Sequence, residues 1–425
     1  MPESQHDDRG YEPQAVQVVG DQWSPRSHQV RDVLARNGVH YHWTDLGRGE
    51  RGRRLLERAG AGTDRLPVLV FPEGDWLAEP TDAELAERIG LRTEAERPFY
   101  DLIIVGGGPA GLAAAVYGAS EGLRTLIVEQ EAPGGQAGQS ASIENYLGFP
   151  EGITGADLAR RAVAQAEHFG VEILAARRVE RLRAEGAYRS VALDGGEELR
   201  CHAVLLATGV AWRVLDAPGC PRLVGAGVYY GAAGAEAHAV GGKDVYLLGG
   251  GNSAGQAAML LARFARSVTM LVLEESIEER MSQYLVERIR SAGNVHVRTG
   301  HTVVEAHGDG RLERITIQDV ASGETETVLA NALFVFIGAA PRTEWLEGTV
   351  QRDDDGYIVC GGEMLRDEGP PDDWPLERDP FLLETSVPGI FVAGDVRAGS
   401  VKRVASAVGE GSMAVTFVHQ YLRDR

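Results

Sequence analysis

The pattern of apolar and polar positions changes near Tyr100. Before it, the apolar stretches AVQVVG, VHYHWTDL and LPVLVF predict three short strands. HQVRDVLARNG predicts a helix between the first two, because Val30, Val33 and Leu34 share one face and Gly38 follows the helix end. A second helix is predicted near DAELAERIG. The N-terminal region therefore has a mixed α/β pattern.

From Tyr100 onward the pattern is typical of parallel sheets. DLIIVGGGPAGLAAAVYGASEGLRTLIVEQ predicts a strand, a glycine-rich turn, a helix and a strand, which together form a βαβ unit. DVYLLGGGNSAGQAAMLLARFARSVTMLVLEE predicts a second such unit, so the chain contains an internal near-repeat. Buried strands are also predicted at HAVLLATG, ALFVFIGAAP and GIFVAGDV. We expect an α/β protein with two Rossmann-like domains.

The first glycine-rich turn has the spacing G-x-G-x-x-G. Gly106 permits a tight turn, Gly108 lets the backbone approach a pyrophosphate, and Gly111 lets the helix pack closely on the strand. Glu129 ends the next strand, where an acid can accept a hydrogen bond from a ribose hydroxyl. Helix, strand and acid together predict a dinucleotide site, with Pro109 and Ala110 at the start of the helix.

The second turn fits G-x-G-x-x-A, with Gly249, Gly251 and Ala254 at the small positions and Asn252 and Ser253 between them. Val272 is equivalent to Glu129 by counting, and the acids Glu274 and Glu275 follow it. NADPH preference normally needs an Arg at this strand end, and none precedes Arg280, so we expect tolerance for NADH with Glu274 near the ribose.

Two dinucleotide sites predict FAD and a nicotinamide dinucleotide, brought together for hydride transfer. The first turn is assigned to FAD because two further segments return to it. They are Ala207-Thr208-Gly209, which ends a buried strand, and Gly394-Asp395, where the acid can hold a ribityl hydroxyl.

Composition narrows the class of protein. The chain has 425 residues with 62 acidic and 42 basic side chains, a net charge of −20, which disfavours binding to nucleic acid. No apolar run reaches the length of a membrane span, and MPESQHDDRG lacks the features of a secretion signal. Cys201, Cys220 and Cys360 are too few and too far apart to form a disulfide framework. We expect a soluble cytoplasmic protein without a metal site.

The motifs GGGPAGLAAAVYG, GGQ, ENYLGFP, ATG, GGGNSA, FIGAAPRT, GIFVAGDV and SAVGEGSMAV resemble those of the low-molecular-weight thioredoxin reductase family of the pyridine nucleotide-disulfide oxidoreductase superfamily. The resemblance covers about residues 99–425. It implies a homodimer and an FAD domain, residues 99–215 and 337–425, split by an NAD(P)H domain, residues 216–336. Beyond the residues already named, it implies FAD contacts from Gly135, Gln136, Asn145, Lys402, Arg403 and Val404.

One departure from that family changes the expected chemistry. The family carries a Cys-x-x-Cys pair just before the second glycine turn, and Gly231 and Gly234 stand at those two positions. Disulfide reduction needs an attacking thiolate and a partner thiol, so we expect no competent disulfide reductase. Tyr230, Glu236 and His238 are the catalytic candidates nearby. Packing at a domain seam explains Tyr230 as well, and a surface or helix position explains His238.

Residues 15–92 resemble glutaredoxin and thioredoxin-like domains, between a polar tail, residues 1–14, and a linker, residues 93–98. Pro67 stands where those domains carry a cis-proline. Ser24 and Ser27 replace the cysteines of C-P-x-C, and a hydroxyl cannot form a disulfide. We expect this domain to dock a protein partner or to add stability.

The sequence thus predicts an FAD-dependent oxidoreductase that takes hydride from NADH or NADPH. The acceptor would be a ferredoxin-like protein, a quinone, oxygen or a small metabolite. Two alternatives remain open: a flavin-binding regulatory or scaffold protein without turnover, and a flavin oxidase of a specialised metabolite. Bleaching of the bound flavin by NAD(P)H separates the first interpretation from these two.

Overall fold

The computed structural model describes residues 15–21, 24–47, 50–140, 142–231, 237, 240–364 and 374–424. The chain forms two compact units, of which the first ends at Leu85 and the second begins at Ala86. No helix in the described ranges is long and apolar enough to cross a membrane.

The first unit contains a four-stranded sheet in the order β2-β1-β3-β4. β1 and β2 are parallel, whereas β3 runs antiparallel to both β1 and β4. The elements are β1 Val16–Gly20, α1 Pro25–Arg36, β2 Tyr41–Asp45, α2 Arg51–Ala59, β3 Val68–Val70, β4 Trp76–Ala78 and α3 Asp82–Arg88. The three predicted strands and both predicted helices are present, and the Leu66–Pro67 peptide bond is cis. Helix α2 and strand β4 were not predicted.

Helix α1 begins three residues earlier than the sequence pattern predicted. Ser24 is its N-cap, and its hydroxyl accepts a hydrogen bond from the Ser27 N–H at 3.2 Å. Pro25 takes the first helical position, where its missing N–H costs nothing. Ser27 is fully buried in the first turn. The two serines therefore start and pack a helix.

The second unit begins with a lobe whose elements are β5 Phe99–Val105, α4 Pro109–Ser120, β6 Thr125–Val128, α5 Gly135–Gly138, α6 Gly155–His168, β7 Glu172–Leu174, β8 Val179–Glu185, β9 Tyr188–Leu193 and β10 Glu198–Leu206. β11 Ala211–Trp212 leads out of it. We call the part built on this sheet the first lobe.

The second lobe follows and contains β12 Val228–Tyr230, β13 Asp244–Leu248, α7 Asn252–Leu261, β14 Ser267–Val272, α8 Gln283–Ser291, β15 Val295–Thr299, β16 His301–His307, β17 Arg314–Asp319, β18 Thr325–Leu329 and β19 Ala332–Val335. The chain then returns to the first lobe through β20 Ala339–Ala340, β21 Ile390–Val392 and α9 Val404–Arg423. β20 pairs antiparallel with β11, so the outgoing and returning segments lie side by side.

The two lobes repeat one architecture. The first has the parallel order β7-β6-β5-β10 with β21 beside β10, and the second has β15-β14-β13-β19-β12. In each lobe an antiparallel insertion, β8–β9 or β16–β18, separates the third and fourth parallel strands along the chain. This order confirms the near-repeat and the two Rossmann-type sheets. It also places each glycine turn at the carboxyl end of a central strand, where strand order reverses and nucleotides bind.

Fully buried strands form the centre of the first lobe. Leu102, Ile103 and Ile104 of β5 and Val204 and Leu205 of β10 have no exposed surface. Burying each such side chain contributes about 1.5–3 kcal/mol, so this sheet is a rigid support for the loops at its carboxyl edge.

The segment between α3 and β5 is held against the first lobe. The Arg92 carbonyl accepts a hydrogen bond from Ala175 N–H at 2.9 Å, and the Thr93 carbonyl accepts one from the Arg177 guanidinium at 2.5 Å. The buried carboxylate of Glu172 accepts hydrogen bonds from Glu96 N–H at 2.7 Å and from the Tyr100 hydroxyl at 2.6 Å. The chain is therefore anchored from Arg92 onward.

Candidate functional site

The first glycine turn connects β5 to α4. Gly106 has φ +107°, and a Cβ added there would lie 2.4 Å from the Ala207 carbonyl oxygen. A Cβ on Gly111 would lie 1.9 Å from the Gly106 carbonyl oxygen, so both positions need glycine. No described heavy atom comes within 4 Å of a Cβ added to Gly108, which leaves open space at the helix N-terminus. A pyrophosphate fits there.

Glu129 lies beside this turn at the end of β6. Its carboxylate accepts hydrogen bonds from the Gly107 N–H at 2.7 Å and the Glu131 N–H at 2.9 Å. The side chain is 7% exposed. Its place at the turn matches the position from which an acid holds a ribose hydroxyl.

Three later segments converge on the same turn. A Cβ on Gly135 would lie 3.2 Å from the Gly108 Cα, and one on Gly394 would lie 3.0 Å from the Ala110 Cβ. The Gln136 amide donates a hydrogen bond to the Val210 carbonyl at 2.5 Å, which ties GGQ to the strand end after Ala207-Thr208-Gly209. The Thr208 hydroxyl is buried and finds no hydrogen-bond partner among the described residues. A bound group can supply that partner.

The Gly394-Asp395 turn is held by two residues that the sequence analysis missed. Glu410 of α9 accepts a hydrogen bond from the Gly394 N–H at 2.7 Å and pairs with Arg397 at 2.7 Å. Burial raises the pKa of Asp395, with Lys402 opposing the shift and Glu410 adding to it. A group that donates a hydrogen bond to Asp395 would stabilise its ionised form.

The other residues implied for FAD are more exposed. The Lys402 ammonium donates a hydrogen bond to the Tyr357 hydroxyl at 2.5 Å, and Arg403 caps α9 while Val404 begins it. Asn145 is exposed, on the segment after the single bridge between Ile143 and Ile153. These side chains lie at the rim of the first lobe's site, and their contacts with a cofactor remain predictions.

The second glycine turn repeats the first. A Cβ on Gly249 would lie 2.4 Å from the Phe336 carbonyl oxygen, the same distance as at Gly106, and a Cβ on Gly251 would meet no described atom within 4 Å. Ser253 and Ala254 form the first turn of α7. The Asn252 side chain accepts a hydrogen bond from Ser282 N–H at 2.7 Å, which anchors α8 to the turn. Glu274 lies against Gly250, and its carboxylate pairs with Arg280 at 2.8 Å.

An aromatic side chain fills the space beside Gly231. A Cβ on Gly231 would lie 2.1 Å from the indole Nε1 of Trp212, and the glycine has φ +78°. The indole also packs edge-on against Phe336, with ring centroids 5.9 Å apart. Position 231 therefore has no room for a side chain in this arrangement.

The catalytic candidates near Gly231 divide into two groups. The Tyr230 hydroxyl accepts a hydrogen bond from the Leu215 N–H at 3.2 Å, which anchors the ring to the segment that enters the second lobe. Tyr229 packs on Phe334 with centroids 5.1 Å apart. Gly234, Glu236 and His238 lie outside the described residues.

Comparison with known proteins assigns the family. Residues 100–411 match the family described as pyridine nucleotide-disulphide oxidoreductase, which covers well over half of the chain. The chain belongs to this family. Within it, thioredoxin reductase from Peptoclostridium acidaminophilum is 33% identical, over 76% of this chain and 97% of that protein. An alkyl hydroperoxide reductase polypeptide from Pseudomonas putida is 34% identical over 81% of this chain, but the chain spans only 63% of that protein.

Solved structures agree with this assignment. Thioredoxin reductase from Lactococcus lactis has a TM-score of 0.68 at 28% identity, over 77% of this chain and 100% of that one. The enzyme from T. acidophilum has a TM-score of 0.67 at 27% identity, over 76% and 99%. The protein is thus a flavoprotein oxidoreductase of the thioredoxin reductase type, and it uses FAD and NAD(P)H. The two open glycine turns and the unpartnered Thr208 hydroxyl fit these two groups.

All three cysteines of this family member are buried and free of disulfides. Burial raises the pKa of Cys201 to about 12, of Cys220 to about 11 and of Cys360 to about 12. Cys201 lies inside β10, whose first residue is Glu198, so it does not begin the strand as predicted. These thiols remain protonated at neutral pH, whereas thiol exchange requires a thiolate.

Proposed function

We propose that the protein takes hydride from NAD(P)H through FAD and delivers the electrons to an acceptor that is not a disulfide. Each turnover removes two electrons and one proton from NAD(P)H as hydride and leaves NAD(P)⁺. The same two electrons pass to the acceptor, singly or as a pair, with protons from water where the acceptor needs them. The acceptor classes are a ferredoxin-like protein, a quinone, oxygen or a small metabolite.

The observation that carries this proposal is the contact between Trp212 and Gly231. In related sequences the first cysteine of the dithiol corresponds to position 231. Here the indole lies 2.1 Å from the place that a Cβ would take. The missing sulfur is therefore accompanied by a side chain that fills its space, which supports a site adapted to work without the dithiol.

The three remaining thiols supply no substitute. They have exposed fractions of 0%, 0% and 3% for Cys201, Cys220 and Cys360, and each belongs to a hydrophobic core. An external disulfide such as that of a partner protein cannot reach a fully buried sulfur without local unfolding. Their raised pKa values also keep the nucleophilic thiolate scarce.

The chain's own residues bind and orient the two dinucleotides. FAD, when bound, supplies the redox chemistry by taking hydride and giving up electrons. The N-terminus of α4 and the open face at Gly108 would hold its pyrophosphate, and Glu129 a ribose hydroxyl. Asp395 would accept from the ribityl chain, with its position fixed by the Glu410–Gly394 hydrogen bond. The N-terminus of α7 and Gly251 would hold the pyrophosphate of NAD(P)H.

The first unit serves docking or stability in this proposal. Ser24 caps α1 and Ser27 is buried, so neither position carries a sulfur that could relay electrons. A homodimer and a cytoplasmic location complete the proposal, and the mass of the 45.7 kDa chain in solution tests the dimer.

The proposal is tested with a panel of acceptors. Under anaerobic conditions NADH or NADPH should bleach the bound flavin, and a quinone or a one-electron dye should reoxidise it. Thioredoxin and a small disulfide reagent should not. The control variant carries Cys201→Ala, Cys220→Ala and Cys360→Ala, and FAD content reports its folding. Disulfide reduction by the parent that disappears in a folded triple variant would overturn the proposal. A flavin that neither nucleotide bleaches would also overturn it.

A further inference from the structure

An acid lies against the middle glycine of each nucleotide turn. A Cβ on Gly107 would lie 3.2 Å from Oε2 of Glu129, and one on Gly250 would lie 3.0 Å from Oε2 of Glu274. The two carboxylates therefore take corresponding places in the two lobes.

Strand register assigns a different residue to that place. The N–H of Gly106 bonds to the carbonyl of Val128, and the N–H of Gly249 bonds to the carbonyl of Leu271. Glu129 follows Val128 directly, so its counterpart by register is Val272. The chain continues for two more residues after Val272 and brings Glu274 back to the turn. Structural position and sequence register thus disagree, and the position decides what a bound ribose meets.

The surroundings of Glu274 are mainly acidic. Glu275, Glu278 and Glu279 follow within five residues, and the Glu279 carboxylate accepts from the Ser276 N–H at 3.2 Å. Glu278 pairs with Arg290. Arg280 pairs with Glu274 at 2.8 Å, and the exposed fractions of these two side chains are 72% and 20%. The cation nearest the turn is therefore already engaged by the acid.

We propose that Glu274 selects NADH over NADPH by accepting a hydrogen bond from the adenosine ribose. The inference rests on the proposed binding of the nicotinamide dinucleotide at the second turn. In Rossmann folds an acid at this place bonds the free 2′-hydroxyl, whereas a 2′-phosphate needs an arginine. A 2′-phosphate here would approach the Glu274 carboxylate and would have to compete for Arg280. Arg280 acts as a positioning residue that holds the carboxylate against the turn.

The test compares equilibrium binding of NAD⁺ and NADP⁺ to the FAD-loaded protein by calorimetry. The parent should bind NAD⁺ at least tenfold more tightly than NADP⁺. Glu274→Gln, which keeps the shape of the side chain, should weaken NAD⁺ by about tenfold, the value of a hydrogen bond to a charged group. It should leave NADP⁺ binding unchanged or stronger, so that the preference shrinks at least tenfold.

Glu275→Gln is the matched control. It removes the same charge from the exposed neighbouring residue and should change the ratio of the two affinities by less than threefold. FAD content confirms folding of each variant. Equal or tighter binding of NADP⁺ by the parent would overturn the inference, as would a Glu275→Gln effect as large as that of Glu274→Gln. Selective NAD⁺ binding without flavin bleaching by NADH would sustain the inference and overturn the proposed function.

Discussion

Replacing Gly231 with alanine tests whether Trp212 has closed the position of the missing sulfur. The new Cβ would lie 2.1 Å from the indole Nε1 and 2.5 Å from Cε2. Non-bonded carbon atoms normally lie about 3.5–4.0 Å apart, so the ring would have to retreat by more than about 1 Å. Phe336 packs against the same indole and restricts this movement.

Two costs add in this variant. An L-residue at φ +78° costs about 1–2 kcal/mol, and overpacking a filled site costs about 1–3 kcal/mol. The free energy of unfolding should therefore fall by about 2–5 kcal/mol. Gly300→Ala isolates the first cost, because Gly300 has φ +68° in the same lobe and a Cβ there would meet no described atom within 4 Å.

Urea unfolding followed by circular dichroism measures these free energies. Gly231→Ala should cost at least 1 kcal/mol more than Gly300→Ala. In a Trp212→Ala background, the cost of Gly231→Ala should fall to that of Gly300→Ala, because only backbone strain remains. If Gly231→Ala costs no more than Gly300→Ala, or if removal of the indole brings no relief, the indole does not occupy the space and the reasoning is wrong.

Three further predictions concern the thiols, the flavin and the first unit. At pH 8 the folded protein should resist alkylation at all three cysteines, because burial raises their pKa values to about 11 or 12 and thiolate forms only as the pH approaches those values; rapid labelling of any cysteine, read by mass spectrometry, would contradict this. Glu410→Gln should release FAD about tenfold faster, measured by flavin fluorescence, because the carboxylate holds the Gly394 N–H and Arg397. Glu363→Gln, which changes the other acid near Arg397, at 3.8 Å, is its control and should have little effect, and equal release rates in the two variants would disprove the role of Glu410. Removing residues 1–90 leaves the anchored segment from Arg92 in place, so flavin reduction by NAD(P)H should persist; a truncated protein that binds FAD but is not reduced would give the first unit a catalytic role.

The glycine turns could be predicted because their determinants are local. Strand, turn and helix follow one another in the chain, and the steric need for Gly106 and Gly111 depends on neighbours in the same βαβ unit or at the end of the adjacent strand. The segments Ala207-Thr208-Gly209 and Gly394-Asp395 carried their own signals at strand ends. The repeated strand order follows from the same patterns.

Features that depend on distant or irregular contacts were missed. Trp212 meets Gly231 only because the segment leading out of the first lobe passes beside the end of β12, and no periodicity records that contact. Counting residues placed Val272 at the ribose, because it assumed equal loops after β6 and β14. Helix α2 escaped because RGRRLLERA offers only Leu55 and Leu56 as large apolar side chains, and only Leu56 is fully buried.

The most direct test of thiol-independent electron transfer is an anaerobic reductive titration of the FAD-loaded protein with dithionite. Without a redox-active disulfide, the protein takes up two electrons per FAD, and the flavin absorbance falls linearly to completion over that range. A second pair of electrons per FAD, consumed before or during bleaching and accompanied by two newly titratable thiols, would show a hidden disulfide and contradict the account.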